Sequence, residues 1–219
     1  YIPTASLHTD NNVATAWRKY KKVTVLAPYI DVQSEADPNA PRVVSVTRGG
    51  ILVTLGQPGA DGWQKVGLVN GAVGFTRASY LGDVITGWES MNEEDVRWNV
   101  VETALSYNGT AWRTGGRSPL GMDALGLVSM SYLVNGVILP RNAVLKAGGP
   151  LHQIGQKDMG EGDVLYFQNS MGVYMGDGRF VHATDIVGGE GVVVSSLRSK
   201  DEDYRADLAE NVVAVASIY

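Results

Sequence analysis

Residues 22–81 are cut at short intervals by turn-forming dipeptides, and this punctuation limits the possible folds more than any other feature of the chain. The apolar runs Val23-Thr24-Val25-Leu26, Val43-Val44-Ser45-Val46, Ile51-Leu52-Val53-Thr54-Leu55 and Trp63-Gln64-Lys65-Val66 are too short for helices. They are rich in β-branched residues and separated by Asp37-Pro38-Asn39, Gly49-Gly50 and Asp61-Gly62. Asn70-Gly71 stands between Val66-Gly67-Leu68-Val69 and Ala72-Val73-Gly74-Phe75, which predicts a hairpin with a two-residue type I′ turn. About five strands in so short a span imply a small β-barrel over residues 22–82, after an N-terminal segment of 1–21. Residues 83–92, with Gly87, Ser90 and Asn92, read as a connector.

Residues 93–219 change character. Ser90 with Glu93, or Asn92 with Asp95, can cap a helix whose first turn carries Glu93, Glu94 and Asp95, where the helix dipole favours negative charge. Val96, Val100, Val101, Ala104 and Leu105 form its apolar face, and Asn108-Gly109 ends it. A second helix, apolar almost all round and therefore buried, is expected from Ala124 to Leu133 with Asp123 as its cap. Strands follow at 163–167, 171–175, 180–183, 192–194 and 212–215. Helices first and strands afterwards make this half α+β.

The chain has 219 residues and a net charge of −5, without the basic stripe of a nucleic-acid binder. Its apolar runs are far too short to span a membrane. It contains no cysteine, which excludes disulfides, zinc–thiolate sites, iron–sulfur clusters and a thiol nucleophile. His8 and His152 have no companions at metal-ligand spacing, so neither a metal nor a cofactor is expected.

Gly62-Trp63-Gln64-Lys65-Val66, Asn70-Gly71-Ala72-Val73-Gly74-Phe75 and Ala78-Ser79-Tyr80-Leu81 resemble the end of a bacterial SH3-like domain. Trp63, Phe75 and Tyr80 then read as barrel core or, alternatively, as a wall-binding surface. The stretch Tyr107-Asn108-Gly109-Thr110-Ala111-Trp112-Arg113-Thr114-Gly115-Gly116-Arg117-Ser118-Pro119 with Gly121-Met122-Asp123-Ala124-Leu125-Gly126-Leu127-Val128 is similar to the start of the catalytic domain in NlpC-type cell-wall peptidases. Gly162-Asp163-Val164-Leu165-Tyr166-Phe167 and Gly172-Val173-Tyr174-Met175-Gly176-Asp177-Gly178, followed by His182-Ala183-Thr184, match a second stretch of that family in order. The resemblance implies a small SH3-like β-barrel followed by a papain-like α+β domain over residues 93–219, in a bacterial, extracytoplasmic protein.

It also implies roles for single positions. The family's nucleophilic cysteine falls on Ala124 and its general-base histidine on Ser170, while the third residue, which orients the base, survives as His182. Leu125 replaces the serine that usually follows the nucleophile, and Trp112 replaces the tyrosine that helps hold the oxyanion. A single replacement would account for Ala124 alone but not for Leu125, Ser170 and Trp112 together. These departures lead to the expectation of a catalytically inactive module that binds a peptidoglycan stem peptide, or an active paralogue, through Asp123, Trp112, Arg117 and His182. The alternative is a hydrolase of cell-wall peptides (γ-D-glutamyl-diamino-acid bonds in this family) with a non-cysteine nucleophile, Ser129 or Ser170 working with His182.

Overall fold

The computed structural model describes residues 11–140, 143, 145, 148–186 and 191–219; His8 lies outside them. The chain divides into two compact units, Tyr1–Val84 and Ile85–Tyr219.

In the first unit, helix α1 (Asn11–Lys19) precedes strands β1 (Lys22–Val25), β2 (Tyr29–Gln33), β3 (Arg42–Thr47), β4 (Ile51–Thr54), β5 (Trp63–Gly67), β6 (Val73–Arg77) and β7 (Leu81–Asp83). They form one antiparallel sheet in the order β3-β2-β6-β5-β4-β1-β7 around Val23, Val25, Ile30, Val32, Leu52 and Val66. Helix α1 and strands β2 and β7 go beyond the sequence reading. β2 carries the period-2 signal, burying Ile30 and Val32 between outward Tyr29, Asp31 and Gln33, but Pro28 and Asp31 give it the look of a loop. Lys22 closes α1 by donating its ammonium to the carbonyls of Trp17, Arg18 and Tyr20 at 2.9, 2.6 and 3.0 Å.

The Asn70-Gly71 hairpin forms with a different turn. Gly71 N–H donates to Leu68 and Leu68 N–H to Ala72, and only Gly71 has positive φ, at 85°. A type I′ turn needs positive φ at two residues, so the loop is a three-residue one with glycine in the left-handed place. Trp63 is core, with the Arg77 guanidinium 4.2 Å from its ring centre, whereas Phe75 is half-buried and Tyr80 is 43% exposed.

In the second unit, α2 (Glu93–Leu105) is capped by the Asn92 side chain, which accepts Asp95 N–H at 3.1 Å, so Asn92 rather than Ser90 is the cap. The short pair β8 (Arg117–Ser118) and β9 (Gly121–Met122) leads into α3 (Ala124–Leu133). Strands β10 (His152–Ile154), β11 (Val164–Phe167), β12 (Met171–Gly176), β13 (Arg179–Thr184), β14 (Gly191–Ser196) and, after the one-turn helix α4 (Ala206–Ala209), β15 (Val212–Ser217) complete it. They make an antiparallel sheet in the order β10-β15-β11-β12-β13-β14.

Alternation sorts this sheet into two faces. Val164, Val173, Val181, Ala183 and Val192 pack under Val100, Val101 and Ala104 of α2 and Leu127 and Val128 of α3. Leu165, Phe167, Tyr174, Phe180 and Val215 form a smaller cluster on the other face, against which Leu208 of α4 packs. Arg97 ties α2 to the ends of two strands. Its guanidinium donates to Asp163 Oδ1 at 2.7 Å, to Glu161 O at 2.9 Å and to Ser217 Oγ at 3.1 Å, and it pairs with Glu93 at 2.7 Å.

Candidate functional site

The N-terminus of α3 is built by one carboxylate. Asp123 Oδ1 accepts Gly126 N–H at 2.7 Å as the helix cap, and Oδ2 accepts Gly115 N–H at 2.7 Å from the preceding loop. The loop then lies so close to the helix that a Cβ on Gly126 would stand 1.9 Å from Gly116 O. Ala124 opens the helix and is half-buried, as is Leu125.

That helix end faces a cavity of about 510 Å³ lined by Trp112, Asp123, Ala124, Leu125, Ser170 and His182, with Tyr166, Asp185, Ile186, Arg205 and Asp207 among its other walls. The sheet register explains part of this grouping, since Gly172 sits opposite His182 and Ser170 comes two residues before it, just ahead of β12. His182 lies on the face of β13 that carries Phe180, whose ring centre is 4.9 Å away. Its Nε2 is 2.9 Å from Ser195 Oγ on β14, which leaves Nδ1 as the second ring nitrogen. Burial pushes the imidazole down to about 4; the nearby Arg205 lowers it further and Asp207 partly opposes this. His182 is therefore neutral at physiological pH. The Tyr166 hydroxyl donates to Ala143 O at 2.5 Å, and burial raises it to about 12, so it stays protonated.

Asp123, Trp112, Ala124, Ser170 and His182 thus share one cavity. Arg117 does not. It is exposed and, with Ser129, lines a second cavity of about 590 Å³ on the other side of Leu125. There the Ser129 hydroxyl donates to Gly126 O at 3.2 Å, and Arg117 approaches Met130 Sδ at 3.9 Å. Ser195, Asp185, Arg205 and Asp207 were missed by sequence reasoning. Nothing local marks Ser195 or the segment bearing Arg205 as part of a site. Among the described residues no cluster has the makings of a metal site, and no helix is long and apolar enough to cross a membrane.

A family model described as NlpC/P60 matches residues 109–207. The chain is also 34% identical over 212 residues to dipeptidyl-peptidase 6 of Lysinibacillus sphaericus, covering 96% of this chain and 77% of that one. The chain belongs to the NlpC/P60 family. A probable endopeptidase, NlpC homolog, of Haemophilus influenzae is 30% identical over 152 residues, which is 67% of this chain and 76% of the relative. The crystal structure of an NlpC/P60 family protein from Bacillus cereus superposes with a TM-score of 0.75 at 17% identity, covering 98% of this chain and 68% of that one. That likeness establishes the shared mixed α/β fold.

These relatives correct one expectation. Ala124 and Ser170, in place of the cysteine and histidine of the pattern, lead to the expectation of a catalytically inactive module. NlpC/P60 relatives matched across most of their length are named as peptidases, which overturns that reading. The physical reason is that loss of a thiol removes one nucleophile and not nucleophilic catalysis as such, since a hydroxyl beside an imidazole supports the same chemistry.

Proposed function

We propose that this chain hydrolyses peptides of the bacterial cell wall with a serine hydroxyl in place of the family's cysteine thiol. One observation carries the reading: Ser170 and His182 line the cavity at the N-terminus of α3, where the family pattern puts its nucleophile. Ser170 would attack the peptide carbonyl while His182 takes its proton at Nδ1 and passes it to the departing amine as the C–N bond breaks; water would then hydrolyse the acyl–serine ester, giving up its proton to the same nitrogen. That role requires the tautomer in which Nε2–H donates to Ser195 Oγ and Nδ1 holds the lone pair. Ser129 is the weaker choice, because it lies in the other cavity, away from His182. Asp123 would keep the helix end in place, and the Trp112 indole N–H would donate to the developing oxyanion.

The substrate class follows from the resemblance: stem peptides with a γ-D-glutamyl-diamino-acid bond, met outside the cytoplasm. The seven-stranded first unit would be the SH3-like barrel that such proteins carry, holding the wall near the second unit. A fluorophosphonate probe and the peptide L-Ala-γ-D-Glu-L-Lys test the reading together. Wild type should label and turn over, and Ser170→Ala or His182→Gln should each reduce kcat/KM by about a hundredfold or more. Wild type that neither labels nor cleaves would sink the proposal, and labelling that survives Ser170→Ala would place the nucleophile elsewhere.

A further inference from the structure

The charges on the cavity wall are unevenly assigned. Asp123, Asp185 and Asp207 bring carboxylates to it, and among the described residues Arg205 is the one lysine or arginine lining it. Arg205 is held on both sides of its Cα, its N–H donating to Ser196 O at 2.9 Å and its carbonyl accepting Ala209 N–H at 2.8 Å. Its Nε and Nη2 reach Asp207 Oδ1 and Oδ2 at 2.7 and 2.6 Å, a fork-to-fork pair that fixes the plane of the guanidinium. Such a pair engages two of the five N–H groups and leaves three without an acceptor among the described residues. The Arg205 side chain is 22% exposed, so it stands on the cavity wall partly open to solvent and within reach of a ligand.

We infer that Arg205, oriented by Asp207, is a subsite for a free carboxylate at the end of a bound peptide. The remaining walls agree with a ligand that also carries an amine. Asp185 is an exposed carboxylate on the same cavity, and both Asp123 oxygens already accept backbone N–H groups. His182, one wall away and neutral, adds no positive charge to compete for the carboxylate. The ligand class is therefore a peptide ending in an amino acid with its carboxylate free. This deepens the hydrolase reading and rests on it for the identity of the peptide.

Calorimetry with wild-type protein and two ligands tests it: L-Ala-γ-D-Glu-L-Lys as the free acid and as its C-terminal amide, each with the scissile γ-glutamyl amide replaced by a –CH2–CH2– isostere that cannot be cleaved, the unmodified peptide being kept for the hydrolysis assay. The acid should bind about tenfold or more tightly, the advantage shrinking as salt rises. Arg205→Gln should bring the two affinities together by weakening only the acid. The wild-type comparison decides the matter even if that variant fails to fold. Equal affinities in wild type, no binding of either peptide, or an acid preference that survives in folded Arg205→Gln would overturn the subsite. Hydrolysis followed in parallel separates the two claims. Turnover without acid preference removes the subsite and keeps the hydrolase, and acid preference without turnover does the reverse.

Discussion

A neutral, buried imidazole makes the pH behaviour of His182 a direct handle on its role. If Nδ1 is the base, kcat/KM should fall only as pH drops through about 4, well below the ordinary histidine value of 6.5. An acid limb near 6.5 would show that another group accepts the proton. Stability should move with the same residue. Folded His182 binds its proton less readily than unfolded His182, so the unfolded chain takes up more protons between 6.5 and 4. The contribution is whole above 6.5 and is lost as pH falls towards 4, by about 3 kcal/mol in all. Urea midpoints at both ends of this window should show a larger drop for wild type than for His182→Gln; equal drops would assign the acid sensitivity elsewhere. Asp123 shows why a residue's role in a cap needs its partners counted. Asparagine normally caps as well as aspartate, but here the second oxygen serves Gly115 N–H, and an amide group would set donor against donor. Asp123→Asn should therefore destabilise by about 1–3 kcal/mol in urea unfolding. An unchanged midpoint would mean that the Gly115 bond contributes nothing.

Helix α3 depends on the loop before it as much as on its own residues. The close approach of Gly116 O to Gly126 leaves no room for a methyl group, so Gly126→Ala must push the loop away or unwind the first turn. We expect a loss of about 1–3 kcal/mol, together with weaker peptide binding, because the same loop leads from Trp112 to the cavity. A variant with wild-type stability would show that the loop yields freely. Helix α3 was legible at its start, because Ala124 follows a strong cap, and α2 was legible as a helix, although Ser90 competed with Asn92 as its cap and it ends at Leu105, before Asn108-Gly109. The five strands of the second unit read from sequence were legible too, each being an apolar run between turn signals. What was not legible lacked a local signal. β10 has three residues, mostly polar, and forms because β15 supplies its partner, while α4 is a single turn held by the packing of Leu208 on the sheet. The Asn70-Gly71 turn was legible as a hairpin but not in its type, since glycine alone takes the left-handed place. Of the site, the α3 end, Ser170 and His182 could be read from one ordered pattern. Arg205 and Ser195 could not, because only tertiary folding, the sheet for Ser195 and the turn before α4 for Arg205, brings them to the cavity wall.

Two cores in one chain mean that damage to one should be readable apart from the other. Arg97 offers the test, since it closes the second unit by joining α2 to the start of β11 and the end of β15. Its partner Asp163 is 1% exposed and also accepts Gly160 N–H at 2.7 Å through Oδ2. Removing the guanidinium strands a buried carboxylate, which typically costs about 3–5 kcal/mol, far more than an exposed pair contributes. Arg97→Met keeps most of the side-chain volume and should lower the unfolding transition of the second unit by that amount. The double variant Arg97→Met/Asp163→Asn should recover part of the loss, because a neutral amide is less costly to bury unpaired. The first unit has its own cluster around Val25, Val32 and Val66, and its transition should stay where it is. Differential scanning calorimetry separates the cases. Two transitions with only one displaced would show that the units unfold independently, and a single transition moving as a whole would show that they unfold together. If the double variant is no more stable than Arg97→Met, the loss comes from packing of the arginine stem and not from the stranded charge.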